Sequence, residues 1–241
     1  MEYKEISENM HRINIIDNIV LGGNGLCAVG RMGYPTKIFI KQGTLDGACG
    51  VYCLMMVLMI HRMINREDLT YENCHDDPPY IKRLKKLFLY SLRGIDSGGS
   101  TLYELRKKLL KVFDGQIPAK VYMVSNIDKE GINAMVLRSK IKEQLDAGLP
   151  VLLRYNLPNK NIGHAVVAIG YTMKDNMLRL YCLDPSSNLS WSSIWNNVID
   201  VNMDMNDEQC SDYNHLTESK VDVNGILLIE ENNDLDSRLP F

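Results

Sequence analysis

The chain has 241 residues, of which 45 % are hydrophobic and 24 % charged, and a formal net charge of −3. That length fits one large domain or two small ones, the composition can bury a sizeable core, and the charge recommends no nucleic acid as partner. The start, MEYKEISENMHR, has no apolar stretch behind a basic segment, so no signal peptide is expected. The longest apolar run, residues 51–60, falls short of the ~20 residues that cross a bilayer. Six cysteines without a CxxC pair or a regular spacing suit neither a disulfide framework nor a zinc site. The expectation is therefore a cytoplasmic protein without metal or cofactor, export by a route that needs no signal peptide being left open.

Taken in chain order, KIFIKQ at 37–42 reads as a short strand. Residues 50–64 read as a helix, apolar nearly all round and so buried on most sides. Residues 66–79 are polar, end in Pro78-Pro79 and read as a loop. Residues 81–92 and 102–113 are amphipathic helices, the second capped by Ser100 or Thr101 after the glycines of DSGGST. A strand is expected at 121–124, then a helix at 136–147 ended by Gly148, and Pro150 opens the strand VLLRYN. Residues 164–171 and 177–183 are strand-type runs joined by TMKDN, a hairpin signal, and 223–230 is a late strand. Helices come first and strands later, which suggests α+β with an antiparallel sheet.

At the join between KQGTLDGA and the apolar block CGVYCLMMVLMI stands Cys49. A helix start presents unpaired N–H groups and the positive end of the helix dipole. Both favour a thiolate, which is the nucleophilic form. Gly50 has no side chain to block an approaching carbonyl, and Gly43 and Gly47 allow close backbone approach. The bland alternative is a small buried hydrophobe.

A nucleophilic cysteine needs a base, and the base needs an orienting acceptor. His11, His75 and His215 lie in polar segments and His61 on the helix, whereas His164 follows Asn161-Ile162-Gly163 and opens the apolar strand AVVAIGY. Twenty residues on, Asp184 closes LRLYCL before Pro185. The hairpin places these two at the same end of the sheet. Separately, a satisfied core histidine and an Asp-Pro turn are both common.

Gln42, Cys49-Gly50 at a helix start, Gly163-His164 opening a strand and Asp184 closing the next resemble the papain-like cysteine peptidases. Within that group LRSKIKEQLDAGLPVLLRY, GHAVVAIGY and LYCLDPS are most similar to the bacteriocin-processing (double-glycine) peptidases, a bacterial branch, and their stand-alone relatives. The resemblance covers roughly residues 40–187. It implies a papain-like fold, in which an N-terminal buried helix bearing Cys49 packs on an antiparallel sheet bearing His164 and Asp184. It also implies a nucleophile in Cys49, a general base and acid in His164, an orienting carboxylate in Asp184 and an oxyanion-hole donor in Gln42. Gln42 precedes Cys49 by seven positions, one longer than the usual spacing, a difference that a one-residue bulge would absorb. The implied organisation is one domain over 1–241, with an N-terminal extension over 1–36 and an acidic C-terminal extension over 188–241 that ends in a strand.

The function expected is a cysteine peptidase that cleaves a peptide or isopeptide bond of a protein or peptide substrate through a thioester. Two alternatives stay open: an acyltransferase or deamidase with the same triad, and a non-catalytic binding module using its basic helices. That basic tract runs from Lys82 to Lys111 with a local balance of +7. A face of this kind can bind an acidic partner or nucleic acid. A solvated face, complemented by the chain's own acidic end, is the favoured reading. Cys53 is read as core, Cys27, Cys74, Cys182 and Cys210 have no assigned partner, and Gly22-Gly23 resembles a double-glycine processing signal.

Overall fold

The computed structural model describes residues 12–23, 25–29, 33–43, 48–70, 76–89, 99–124, 131–157, 163–203 and 212–230. His11, Gly47, Cys74, His75, Cys210 and residues 231–241 of the acidic end lie outside them.

The fold mixes helices with an antiparallel sheet, so it is α+β. The main sheet has nine strands: β1 (Asn14–Ile15), β5 (Ala119–Met123), β6 (Val151–Asn156), β7 (Gly163–Lys174), β8 (Met177–Leu183), β9 (Asn197–Asn202), β10 (Tyr213–Asn214), β11 (Ser219–Lys220) and β12 (Asp222–Ile229). Their order is β11-β10-β9-β8-β7-β6-β12-β5, with β1 added to β7. A second sheet joins β2 (Ile19–Gly22), β3 (Gly25–Val29) and β4 (Pro35–Lys37).

The β7–β8 hairpin forms as expected, because Lys174 pairs with Met177 across the two-residue turn Asp175-Asn176. Asp175 takes the left-handed conformation (φ 52°) that Asp tolerates better than most residues. β7 is long enough to pair with β6 over its first half and with β1 further on. Gly170 permits this second pairing, since a Cβ there would fall 2.3 Å from the Asn14 carbonyl oxygen.

Helix α1 (Cys49–Ile60) packs across β7 and β6, with α3 (Leu102–Val112) and β3 on its other sides. Residues from Val51 to Ile60 are buried except Tyr52, which explains why its sequence is apolar all round. The helix is shorter than the expected 50–64. Arg62 enters the left-handed region (φ 61°) and turns the chain away. α2 (Pro79–Leu84) continues into a π-helical turn, Lys85–Leu89, so the expected helix over 81–92 changes its winding partway, and residues 90–92 lie outside the described ones. α3 starts on a capping box: Thr101 Oγ1 accepts from Glu104 N at 3.2 Å and Thr101 N donates to Glu104 Oε2 at 2.9 Å. α4 (Ala134–Asp146) is capped by Asn133 and followed by Gly148 at φ 72°.

One expectation fails. KIFIKQ is not a strand beyond Lys37. Its backbone groups find scattered partners instead: Ile38 N donates to Leu26 O, Phe39 O accepts from Arg66 Nη1, and Gln42 N donates to Pro185 O. The basic tract is also less free than its charge suggests. Lys85 is buried against Asp77 at 2.6 Å, Arg83 bonds Asp114 and the Val112 carbonyl, and Arg106 bonds the Ala119 carbonyl.

Candidate active site

Three elements converge at one end of the main sheet. Cys49 is the first residue of α1, His164 the second of β7, and Asp184 directly follows β8. Because β7 and β8 are adjacent antiparallel strands, the start of one lies beside the end of the other. His164 Nε2 comes within 2.8 Å of Asp184 Oδ1. The ring also interacts with Cys49, through hydrogen bonding and charge. His164 is 18 % exposed and Asp184 only 1 %, so solvent reaches the ring and the carboxylate is covered.

Burial alone pushes the Cys49 thiol up, but the hydrogen bond and charge of His164, with the N–H groups of Ala165 and Gly50, bring it below the ordinary cysteine range. Burial opposes a charged His164 ring, yet hydrogen bonds to Asp184 and Cys49, and the charge of each, raise it to about 10. Asp184 is held below the usual carboxylate range: burial works against it, and His164 and Ser186 overcome that. These opposite shifts favour the charged form of each group. By contrast, burial pushes the thiols of Cys53 and Cys182 up.

Gln42 reaches the same end of the sheet, because its backbone N–H donates to the carbonyl of Pro185 at 2.9 Å, next to Asp184. Residues 44–47, which separate it from Cys49, lie outside the described ones. The reason expected for Gly50 needs correction. Gly50 is buried, and a Cβ on it would lie 3.0 Å from Leu105 Cδ1, so the missing side chain makes room for α3 and not for an incoming carbonyl. Gly22 pairs with Gly25 at the end of the β2–β3 hairpin.

Sequence reasoning missed the residues that hold Asp184. Ser186 donates to Oδ1 twice, from N at 2.9 Å and from Oγ at 2.6 Å, and Asn197 Nδ2 donates to Oδ2 at 3.0 Å. The Asn196 side chain accepts from Asp184 N at 2.7 Å and donates to Asp184 O at 2.8 Å, which closes the 184–196 loop on itself. Tyr155, opposite His164 in the β6–β7 register, meets the imidazole edge-on at 5.5 Å between centroids. The one available signal was the polar pair Asn196-Asn197 in front of the alternating strand VIDVN.

Among the described residues no group of His, Cys, Asp and Glu is arranged to hold a metal, and no helix is long and apolar enough to cross a membrane. A family model described as "Peptidase_C39 like family" matches residues 38–213, a stretch that contains every element of the site. No curated protein matches the chain.

Proposed function

The chain belongs to the Peptidase_C39-like family, and from that premise we propose that it is a cysteine peptidase of papain-like architecture, working through Cys49, His164 and Asp184. The observation that carries the proposal is the meeting of Cys49, at the start of a buried helix, with His164 and its hydrogen-bonded acceptor Asp184. That geometry supplies what thiol hydrolysis needs: a nucleophile, a proton carrier and an orienting acceptor.

In this reading the Cys49 thiolate attacks the carbonyl carbon of the scissile bond. The resulting oxyanion is received by the Cys49 N–H and the Gln42 side-chain amide. The His164 imidazolium gives its proton to the departing amine, which leaves a thioester on Cys49 and a neutral ring. Water then attacks the thioester, its proton passes to His164, and the acid product leaves with the thiolate and imidazolium restored. Asp184 keeps the ring oriented throughout.

Strands from both ends of the chain, β1 and β12, share the sheet that carries His164, which supports a single domain. The order of motifs from 136 to 187 supports the double-glycine-processing branch in particular. A cavity of about 300 Å³ beside the first turns of α1, lined by Ile40, Val51, Tyr52, Met55, Arg66 and Leu69 among others, suits an apolar side chain of a peptide substrate.

The test is digestion of a diverse peptide library by the wild-type chain and by Cys49→Ala. Wild type should release new termini, with apolar residues enriched near the cut, and Cys49→Ala should release none. Equal cleavage by the two would overturn the proposal.

A further inference from the structure

The mechanism above gives no task to Asn197, yet this residue occupies an unusual position. It opens β9, is 2 % exposed and sends its side chain back towards the end of β8. Its Nδ2 donates to Asp184 Oδ2 at 3.0 Å, the carboxylate oxygen opposite the one used by His164 and Ser186. The hydroxyl of Tyr155 lies within electrostatic reach of the same side chain. Tyr155 is buried, its ring edge confines His164, and its hydroxyl accepts from Asn214 Nδ2 at 2.9 Å. Asn197 thus lies between two of the groups that touch the imidazole, bonded to the carboxylate of Asp184 and close to the hydroxyl of Tyr155.

A second observation points the same way. Asn197 Oδ1 is buried and has no hydrogen-bond partner among the described residues. A buried acceptor without a partner weakens a fold, so an amide retained for structure alone would be expected to satisfy both of its ends. Here one end is satisfied on the carboxylate and the other is left open. An aspartate of the same shape would set a second carboxylate against Asp184 and raise the pKa of one of the two.

We propose that Asn197 is a positioning residue, which locks the carboxylate plane of Asp184 through Oδ2 and, with Tyr155, fixes the orientation in which His164 meets Cys49. The inference rests on the cysteine-peptidase reading and adds to it a residue that acts through Asp184. Loss of the Asn197 amide lets the carboxylate turn, the imidazole follows it, and Cys49 loses part of the hydrogen bond that favours its thiolate. The titratable groups around this point are Asp184, His164, Tyr155, Cys49 and Cys182.

The experiment measures the rate of Cys49 alkylation by iodoacetamide against pH, by peptide mapping, in wild type, Asn197→Ala and Tyr155→Phe, with folding checked by circular dichroism. The midpoint of the acid limb should rise in Asn197→Ala, each unit of rise slowing labelling below the midpoint about tenfold. A smaller rise is expected in Tyr155→Phe, which keeps the ring and removes only the hydroxyl. A purely structural amide would lower the melting temperature and leave the midpoint where it is, and that result in folded Asn197→Ala overturns the inference. Should Asn197→Ala not fold, an unchanged midpoint in Tyr155→Phe overturns it. Absence of selective Cys49 labelling in wild type would instead strike the peptidase reading itself.

Discussion

Asp184 presents one carboxylate oxygen to His164 at 2.8 Å, and Ser186 donates to that same oxygen from both its backbone and its hydroxyl. An amide in place of this carboxylate keeps its oxygen in that role and turns its NH₂ group towards Asn197. Asn197 can answer by rotating its open Oδ1 into place. Asp184→Asn should therefore stay folded and keep weak activity, down about 10²-fold, the scale of a damaged acid–base step. Cys49→Ser and His164→Ala should retain none. Peptide cleavage by the three folded variants checks the ranking, and full activity in His164→Ala contradicts it.

Gly50 and Leu105 are coupled through space. Alanine normally favours a helix over glycine by about 1 kcal/mol. Here the added Cβ meets Leu105 Cδ1 at 3.0 Å, and Leu105 is fully buried, so it has little room to yield. Overpacking of this kind costs about 1–3 kcal/mol and should win. Gly50→Ala should destabilise the protein in wild type and become neutral or stabilising with Leu105→Ala. A urea double-mutant cycle reads the coupling, and additive effects would refute it.

Far from the site, Arg138 on α4 and Asp212 before β10 form a buried ion pair at 2.9 Å. Asp212 also accepts from the backbone N–H groups of Asn202 and Val223, so its carboxylate ties β9, β12 and α4 together. Asp212→Ala leaves a guanidinium and two N–H groups behind and should cost about 3–5 kcal/mol. Chemical denaturation checks this, and a loss under 1 kcal/mol would mean that the pair behaves like an exposed one.

His61, at the end of α1, has Nε2 buried without a partner among the described residues, and burial lowers its pKa to about 4. The folded ring stays neutral while the unfolded ring takes a proton below about 6.5. Stability tied to His61 is thus complete above pH 6.5 and falls as the pH drops towards 4. The loss amounts to about 3 kcal/mol at most. His61→Phe should flatten this part of the acid stability profile, as followed by melting temperature from pH 7 to 4. An unchanged slope would show that other groups carry it.

Local chemistry was legible wherever one residue type forces one conformation. The Asp-Asn turn, the cap at Ser100 or Thr101 and Gly148 each act within four residues, and the elements they bound appeared as expected. KIFIKQ misled because its short apolar run marks burial: Ile38 is indeed buried, but its neighbours bond to α1's trailing loop and to Pro185. Strands such as β10 and β11 are two residues long and polar, so they carry no periodic signal. Cys49, His164 and Asp184 stand out because each sits where an element begins or ends. Asn197 and Tyr155 did not, since their place beside Asp184 arises only when β9 returns along β8 and β6 lies against β7.

The most direct measurement of the central claim is competition among the thiols for limiting iodoacetamide at about pH 6, well under the ~8.5 of a free cysteine. His164 lowers the Cys49 thiol, whereas burial raises those of Cys53 and Cys182. Cys49 should label first in the folded protein, and His164→Ala should slow that labelling while leaving the other sites unchanged. Labelling of Cys53 ahead of Cys49, or a Cys49 rate indifferent to His164, would contradict the account.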